Sequence, residues 1–493
     1  MESQDIKPTL PQDEHIVENK QLNIWEALIP VIVLVGLLAY NVYTYGDDAL
    51  SGSNQFILLL GGAVAAIVGF FNKVKFGQMM EEVSENIKST GGAILILLMV
   101  GALAGTWLIS GIIPTMIYYG LQVLNPTIFL AACVIICAII SVATGSSWTT
   151  SATVGIALVG IAEALGVPLG MTAGAVVSGA YFGDKISPMS DTTNLAPAMA
   201  GTDLFTHIRY MLYTTTPTII ITLIVFIIIG LNLEPKGVAD THIILQDIKS
   251  AINVSPWLFV VPIVVIILIV KKTPPLIALL IGTLLGGLAA LFFQPNLVAG
   301  IGGSDTLNFT SGYKGIMNAI TVETAVPTEN EALKGLFTAG GMSNMLNTIW
   351  LILCAMVFGG IMDGIGALAT ISKALLKLFQ TTFGLFASTV ASCLALNVTA
   401  SDQYLAIVVP GKMYAKAFKD KGLAPENLSR TLEDSGTVTS VLVPWNTCGA
   451  YQSGVLGVDT LQYAGYAFFN WLSPFMTLLF AAFKIKIRQL AKS

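Results

Sequence analysis

Residues 183–194 read GDKISPMSDTTN, a polar run with two aspartates between long apolar segments. A charged side chain at the centre of a bilayer costs about 2.5–3.5 kcal/mol or more, so such a run is a candidate functional site. Gly183 and Pro188 both predict a break in the helix, because glycine loses more backbone entropy on ordering and proline has no amide hydrogen. A polar loop at the membrane surface is the alternative that composition leaves open.

The run also supplies the oxygen ligands that small, hard cations prefer. A broken helix exposes backbone carbonyls and amides beside these side chains. The oxygen-bearing side chains are those of Asp184, Ser187, Ser190, Asp191, Thr192, Thr193 and Asn194. We expect the two aspartates to couple ion and proton binding, with a sodium ion in the Asp184/Asp191 cluster, and the other residues to bind the cation or a substrate.

The composition is that of a multi-pass helical membrane protein. Of the 493 residues, 54% are hydrophobic and 11% are charged, against about 25% charged in a typical soluble domain. Several segments reach the ~20 apolar residues that cross a bilayer. Helices are predicted near residues 24–45, 55–71, 90–110, 126–147, 149–165, 169–183, 204–231, 256–270, 275–293, 345–362, 384–400, 403–418 and 462–483. The segments 149–165 and 403–418 are short enough to be half-helices or re-entrant hairpins.

The hydropathy divides the chain into two membrane units. The predicted parts are an N-terminal tail at 1–23, a first transmembrane repeat at 24–231, a connecting loop at 232–255, a second repeat at 256–485 with a polar loop at 294–344, and a C-terminal tail at 486–493. Lysine and arginine are concentrated in the loop 73–88 and at the C-terminus. By the positive-inside rule, both termini are predicted to be cytoplasmic.

A shift of 255 or 256 residues brings the two halves into register. Thr144 then meets Thr399, Pro188 meets Pro444, and a second polar cluster lies opposite the first. The charge-derived orientation makes the repeats inverted, and such repeats form a substrate site near mid-membrane from discontinuous helices. The second cluster contributes the carboxylates Asp402 and Asp434, the cation- or substrate-binding candidates Asn397, Thr399, Ser401, Asn446 and Thr447, and the helix break at Pro444, with Glu433 beside them.

The run GSSWTTSATVG at 145–155, followed by GDKISPMSDTTNLAP at 183–197, resembles the signature region of the NhaC-type sodium/proton antiporters. The resemblance extends from about residue 24 to residue 485. It implies an all-α ion-transporter-type fold of inverted repeats in a bacterial inner membrane, and it favours Asp184 and Asp191 as coupling residues. Members of this family also couple sodium ions and protons to small organic anions such as malate and lactate.

The sequence therefore predicts a secondary transporter that exchanges Na+ for H+ at a carboxylate-centred site. Desolvation favours the neutral form of a carboxylic acid, so one carboxylate can bind either cation. Exchange of small carboxylates is the alternative, with the region around Arg430 and Asn446 as the place for the anion. A channel is a weaker interpretation. An enzyme is also weaker, because the sequence has no HExxH and no GxSxG motif. The expected partners are lipid, Na+ and H+, with a homodimer possible; no cofactor and no nucleic acid are expected.

Overall fold

The computed structural model describes residues 22–45, 52–123, 125–233, 241–271, 273–328, 334, 337–378 and 381–490. Nearly all of this part of the chain is helical. Nine helices in it are long and apolar enough to cross a membrane, and a bent pair, Ile244–Ala251 with Pro256–Val270, gives a tenth candidate. The predicted N-terminal tail lies almost wholly outside the described residues. The all-α, multi-pass fold is therefore confirmed.

Helices make up most of the elements along the chain. In chain order they are α1 Ile24–Tyr45, α2 Ser53–Phe71, α3 Phe76–Ser89, α4 Gly91–Ile109, α5 Ile112–Val123, α6 Pro126–Thr144, α7 Ser147–Leu165, α8 Leu169–Ile186, α9 Asp191–Ala200, α10 Leu204–Asn232, α11 Thr241–Ala251, α12 Val260–Val270, α13 Pro275–Phe293, α14 Pro295–Ile301, α15 Phe309–Thr321, α16 Gly341–Asn344, α17 Leu346–Gly364, α18 Ala367–Leu378, α19 Thr382–Thr399, α20 Gln403–Asp420, α21 Pro425–Leu432, α22 Thr447–Leu456, α23 Thr460–Ala464 and α24 Phe468–Ala482. Two short strands, β1 Thr324–Ala325 and β2 Thr338–Ala339, pair antiparallel.

The helix bounds reveal the internal repeat. Each of α4, α5, α6, α7 and α9 has a counterpart, respectively α17, α18, α19, α20 and α22, that begins and ends 255 or 256 residues later. Helix α8 corresponds to α21 together with a π-helical turn at Glu433–Thr437 and a 3-10 turn at Ser440–Leu442. Proteins retain such a correspondence when both halves share one fold, so the repeat predicted from sparse sequence matches is present in the structure.

The two copies run in opposite directions. Helix α17 starts beside the middle of α4, where Met345 and the backbone of Gly341 pack against Gly101. It ends beside α3, which leads into the start of α4, because Gly360 packs against Val83 and Gly364 packs against Met79. Antiparallel copies are the geometry of an inverted repeat.

Two sequence expectations about breaks and spans need correction. Gly183 does not break a helix; it lies inside α8, where a Cβ would come within 2.4 Å of both Ser141 Cβ and Val142 N. Its lack of a side chain serves close packing against α6, and the break begins only at Ser187. The helix predicted over 462–483 is divided into α23 and α24.

The two short segments differ in the structure. Helix α7 is 19 residues long and qualifies as a membrane span, although its turn at Ser151–Gly155 is π-helical. Helix α20 has 18 residues, ends in charged residues and is not among the spans. The predicted polar loop at 294–344 carries α14, α15, α16 and both strands.

We expect Gly183→Ala to destabilise the protein, because the added methyl group would press on the backbone of α6. Overpacking of this kind costs about 1–3 kcal/mol. The thermal melting temperature of the purified protein in detergent measures the effect. Gly300→Ala is the matched control, since Gly300 is also helical and has nothing within 4 Å of its Cβ position. Equal melting temperatures for the two variants would contradict the packing role of Gly183.

Candidate functional site

A cavity of about 500 Å³ lies where the two breaks of the first repeat meet. Its wall includes the turn between α6 and α7, the turn between α8 and α9, and the starts of α4, α13 and α20. The polar residues that line it are Ser89, Thr144, Ser146, Asp184, Ser190, Asp191, Thr192, Thr273, Gln403 and Tyr404. Among the described residues of this wall, the two aspartates are the charged groups, so the cavity is acidic.

Asp184 joins the two breaks. Its Oδ2 accepts hydrogen bonds from Ser147 N at 3.2 Å and Ser147 Oγ at 2.6 Å, at the start of α7. Its Oδ1 accepts from Ser190 Oγ at 2.5 Å, at the start of α9. Thr193 Oγ1 donates to the backbone oxygen of Asp184 at 2.8 Å. The carboxylate is 8% exposed, and its three donors hold it at the cavity wall.

The local sequence explains why helices begin at this site. Gly145 has φ +72°, a left-handed conformation that glycine adopts without strain, and it ends α6. Ser146 and Ser190 then cap the next helices, because their hydroxyls accept from Thr149 N and Thr193 N. Short polar residues therefore satisfy the free amides of both helix starts. Two positive helix ends consequently point toward the acidic cavity.

The other residues predicted in the first cluster have mostly structural contacts. Asn194 Nδ2 donates to the carbonyls of Pro188 at 3.0 Å and Ser190 at 2.7 Å, which closes the turn that contains Pro188. Ser187 Oγ donates to Val142 O at 3.0 Å. Asp191 is different: it is exposed, it is the first residue of α9, and it lines the cavity.

The second cluster is a buried hydrogen-bonded core beside the cavity. Asn397 Nδ2 donates to Thr439 Oγ1 at 3.0 Å and to Gly436 O at 2.8 Å, and Asn446 Nδ2 donates to Asn397 O at 3.0 Å. These bonds connect α19 to the interrupted segment that corresponds to α8. None of these residues lines the 500 Å³ cavity in the described part of the chain.

The remaining predicted residues of this half lie at helix ends. Asp402 caps α20, because its Oδ1 accepts from Tyr404 N at 2.8 Å and Leu405 N at 3.1 Å. Ser401 adopts φ +60° at the position of Gly145 in the first repeat, and its carbonyl accepts from Thr447 N at 2.9 Å. Thr399 bonds within its own helix, and Pro444 lies in the break before α22.

Asp434 forms an ion pair with Lys185 that connects the two repeats. Both side chains are fully buried, and Thr477 Oγ1 donates to Asp434 Oδ2 at 2.5 Å. Lys185 Nζ also lies 5.1 Å from the ring centroid of Phe469. Lys185 thus pairs with Asp434 and not with its sequence neighbour Asp184, because adjacent residues of a helix point in different directions.

Glu433 is a buried carboxyl that the sequence analysis did not place among the coupling residues. Its Oε1 accepts from Thr192 Oγ1 at 3.0 Å, and its Oε2 has no hydrogen-bond partner. It is fully buried in the π-helical turn after α21. The repeat could not reveal it, because the equivalent residue in the first half is Val177. The adjacent acids Glu433 and Asp434, in a polar segment between apolar helices, were the available signal.

Arg430, which the sequence analysis placed in the region for an anion, is fully buried. Its guanidinium lies 4.6 Å from the ring centroid of Tyr210 and 5.7 Å from that of Phe480. Its three nitrogens have no hydrogen-bond partner among the described residues. His207 is also fully buried, and its Nδ1 lies 2.8 Å from Ser429 Oγ. Neither residue lines the cavity.

A second cavity, of about 250 Å³, lies in the other half of the molecule. Four of its lining residues are the repeat counterparts of four that line the first cavity: Asn344, Asn347, Thr348 and Leu351 correspond to Ser89, Gly92, Ala93 and Ile96. These equivalent positions lie at or near the starts of the antiparallel helices α4 and α17. Between the cavities, Trp148 stacks on Tyr451 with ring centroids 4.0 Å apart.

This arrangement is suited to binding a small cation. Buried carboxylate, hydroxyl and helix-break carbonyl groups are hard oxygen ligands, and the aspartates provide the negative charge. Comparisons with known proteins agree with this chemistry. A model of the Na+/H+ antiporter family matches residues 179–485.

Curated relatives match over most of their length. The Na+/H+ antiporter NhaC of Alkalihalophilus pseudofirmus is 37% identical to this chain, over 85% of the chain and 87% of that protein. NhaC of Bacillus subtilis is 35% identical, over 80% of the chain and 84% of that protein. The malate-2H+/Na+-lactate antiporter of Bacillus subtilis is 33% identical, over 93% of each. On the extent of these matches, this chain belongs to the Na+/H+ antiporter family.

Proposed function

We propose that this protein exchanges Na+ for H+ by alternating access, with the Asp184 and Asp191 carboxylates as the shared binding site. The observation that carries the proposal is the Asp184 carboxylate at the cavity wall, held by three donors from the starts of α7 and α9. Asp191 adds a second negative charge in the same cavity. The names of the family and of its relatives support the choice of ions.

Competition for one site produces exchange. A sodium ion needs the ionised carboxylate, whereas a proton neutralises it, so the two cations exclude each other. Desolvation favours the protonated form and a bound cation favours the ionised form. The carboxylate therefore loses its proton when sodium arrives, and the ion leaves when the proton returns.

The paired cavities support alternating access. Equivalent positions on antiparallel helices line both, and the cavity volumes differ, at about 500 and 250 Å³. In an inverted repeat, each half can adopt the conformation that the other half has in this structure. That change would enlarge the second cavity and shrink the first. We assign the larger cavity to the side of the positively charged C-terminus, which the positive-inside rule predicts to be cytoplasmic, in the inner membrane of a bacterium.

Exchange of an organic anion is the second candidate, and the name of the malate-2H+/Na+-lactate relative favours it. A cavity of about 500 Å³ is large enough for a small ligand. However, its charged groups among the described lining residues are both negative, and Arg430 is not part of its wall. A carboxylate would therefore need bound sodium to enter. These charges favour the cation exchanger. A homodimer remains a prediction from sequence.

We expect Asp184→Asn and Asp191→Asn to abolish exchange. Removing the charged partner of a buried hydrogen bond costs about 1.5–3 kcal/mol, which lowers sodium affinity at Asp184 by about tenfold or more. The measurement is the dissipation of an imposed pH gradient in proteoliposomes after addition of Na+, Li+ or K+, each with and without malate or lactate. Dissipation that requires malate or lactate would favour the second candidate.

Asp203→Asn is the matched control for the loss of a carboxylate. Asp203 caps α10 by accepting from Thr206 N at 2.9 Å, and asparagine caps helices equally well. Hydrogen bonds from Thr206 hold the pKa of this exposed carboxyl below its usual range, so it is ionised during the assay. Normal exchange in both site variants, with the protein present in the membrane, would contradict the assignment.

Alternating access through the two cavities predicts side-specific labelling. We expect a membrane-impermeant maleimide to label Ala93→Cys from one side of the membrane and Thr348→Cys from the other, because these equivalent residues line different cavities. Intact cells and inside-out vesicles separate the two sides. The unsubstituted protein is the control for background, since its five cysteines are buried. Labelling of both variants from the same side would contradict the inverted arrangement.

A further inference from the structure

A chain of hydroxyl groups connects Asp184 in the first repeat to Glu433 in the second. Ser190 Oγ lies 2.5 Å from Asp184 Oδ1, and Thr192 Oγ1 lies 3.2 Å from Ser190 Oγ. Thr192 Oγ1 in turn lies 3.0 Å from Glu433 Oε1. All four side chains are buried, and the chain crosses from α8 and α9 to the π-helical turn. Three contacts therefore link two acidic groups whose residues are 249 positions apart in the chain.

The hydroxyl chain has fewer hydrogens than contacts. Ser190 and Thr192 supply one hydroxyl hydrogen each, and each hydroxyl donates once. When both acids are ionised, Ser190 donates to Asp184 and Thr192 donates to Glu433. The contact between the two hydroxyl oxygens then holds no hydrogen, and two sets of lone pairs face each other at 3.2 Å. With both acids ionised, the hydroxyl chain therefore has two hydrogens for three contacts and lacks one proton or other monovalent cation.

One monovalent cation corrects this deficit. If a proton binds to Asp184, the acid donates to Ser190, Ser190 donates to Thr192, and Thr192 donates to Glu433, so all three contacts hold a hydrogen. Movement of that proton to Glu433 reverses each donor, and the number of hydrogens is unchanged. A sodium ion beside the two hydroxyl oxygens also satisfies their lone pairs, because hydroxyl oxygens are suitable ligands for a hard cation.

Glu433 has an unused carboxyl oxygen with which it could bind a proton or a cation. Its Oε2 and the nearby Thr437 Oγ1 are both buried without a hydrogen-bond partner. The charged groups that act on it most strongly are Asp184, which repels its charge, and Lys185, which attracts it. Lys185 is already paired with Asp434. Glu433 Oε2 is thus a buried oxygen that makes no hydrogen bond among the described residues.

The remaining titratable groups around Glu433 lie on the elements that pack against its turn. Its own segment carries Glu426, Arg430 and Asp434, α9 carries Asp191, α19 carries Cys393, and α24 carries none. Helix α20 carries the buried Tyr414 and the exposed Tyr404, Lys412, Lys416, Lys419 and Asp420. Asp434 and Arg430 have opposite charges, and Asp191 is exposed to the cavity. Lys185 and Asp184 therefore remain the decisive neighbours.

We propose that Glu433 is a further carboxyl of the cation site, beyond Asp184 and Asp191, joined to Asp184 through Ser190 and Thr192, so that the site spans both repeats. This inference rests on the proposed Na+/H+ exchange. It extends the site from the open cavity to a buried group of the other half. A cation bound to the chain would thereby stabilise the contact between the repeats.

The decisive variant is Glu433→Gln. The amide group of glutamine carries its own hydrogens, so it can donate to Thr192, which then donates to Ser190, which donates to Asp184. The chain is complete without a bound cation. We expect this variant to lose dissipation of the pH gradient and to lose the competition between Na+ and H+. Calorimetric titration of the purified protein with NaCl at several pH values measures that competition.

The expected results have a definite size. Where sodium displaces one proton, the apparent affinity of the wild-type protein rises about tenfold per pH unit. In Glu433→Gln this slope falls toward zero. Thr192→Val breaks the chain but keeps both acids, so it weakens sodium binding, and Thr192→Ser restores it. Thr431→Val is the matched control, because the Thr431 hydroxyl is buried in the same segment and bonds only to Asn427 O of its own helix at 2.8 Å.

The outcomes separate the two proposals. If wild-type protein does not dissipate the pH gradient with Na+, the proposed function itself fails. If wild-type protein exchanges the ions while Glu433→Gln and Thr192→Val keep its affinity and its pH slope, only the role of Glu433 is overturned. Thr192→Val keeps the inference testable if Glu433→Gln does not fold, and melting temperatures identify that case.

Discussion

The hydrogen bonds of the Asp184 carboxylate are the interaction on which this molecule depends. They connect the starts of two interrupted helices, α7 and α9, through Ser147 and Ser190. A helix that stops inside a bilayer leaves backbone groups unsatisfied, and each such group costs several kcal/mol. Here serine caps and one carboxylate satisfy the helix starts. The same groups form the polar wall of the cavity, so the side chains that satisfy the helix starts are also those of the candidate site.

The two halves solve this problem with different residues. Asp184 of the first half corresponds to Ser440 of the second, and the second half instead uses the bonds between Asn397 and Asn446 to hold its break closed. One break thus places a carboxylate in the wall of a cavity, while the other is held by hydrogen bonds between amide side chains and the backbone. An inverted repeat of identical halves would place the same chemistry on both sides.

Sequence reasoning identified the fold because apolar length and the repeat offset are local properties of the chain. It also found the Asp184 cluster, since polar residues between membrane spans are conspicuous. It failed where the answer depends on three-dimensional contacts. The packing of Gly183 against α6, the partner of Lys185 and the burial of Arg430 each depend on a residue far away in sequence. The contact between Glu433 and Thr192 also joins residues far apart in sequence. It could not be predicted, because neither the helical period nor the repeat offset relates these two positions. The substrate role of each side chain is still a prediction.

The charges of the buried ionisable groups have a consequence for transport. Asp184, Asp402, Glu433 and Asp434 carry four negative charges when ionised, Lys185 and Arg430 carry two positive charges, and Glu426 is paired with Arg488. The empty protein therefore has an excess of buried negative charge, which a bound proton or sodium ion reduces. Rearranging a net charge in a medium of low dielectric constant is expensive. Such a carrier would change conformation more readily with an ion bound than when empty, and a protein that returns only with an ion on board exchanges ions instead of releasing them in one direction.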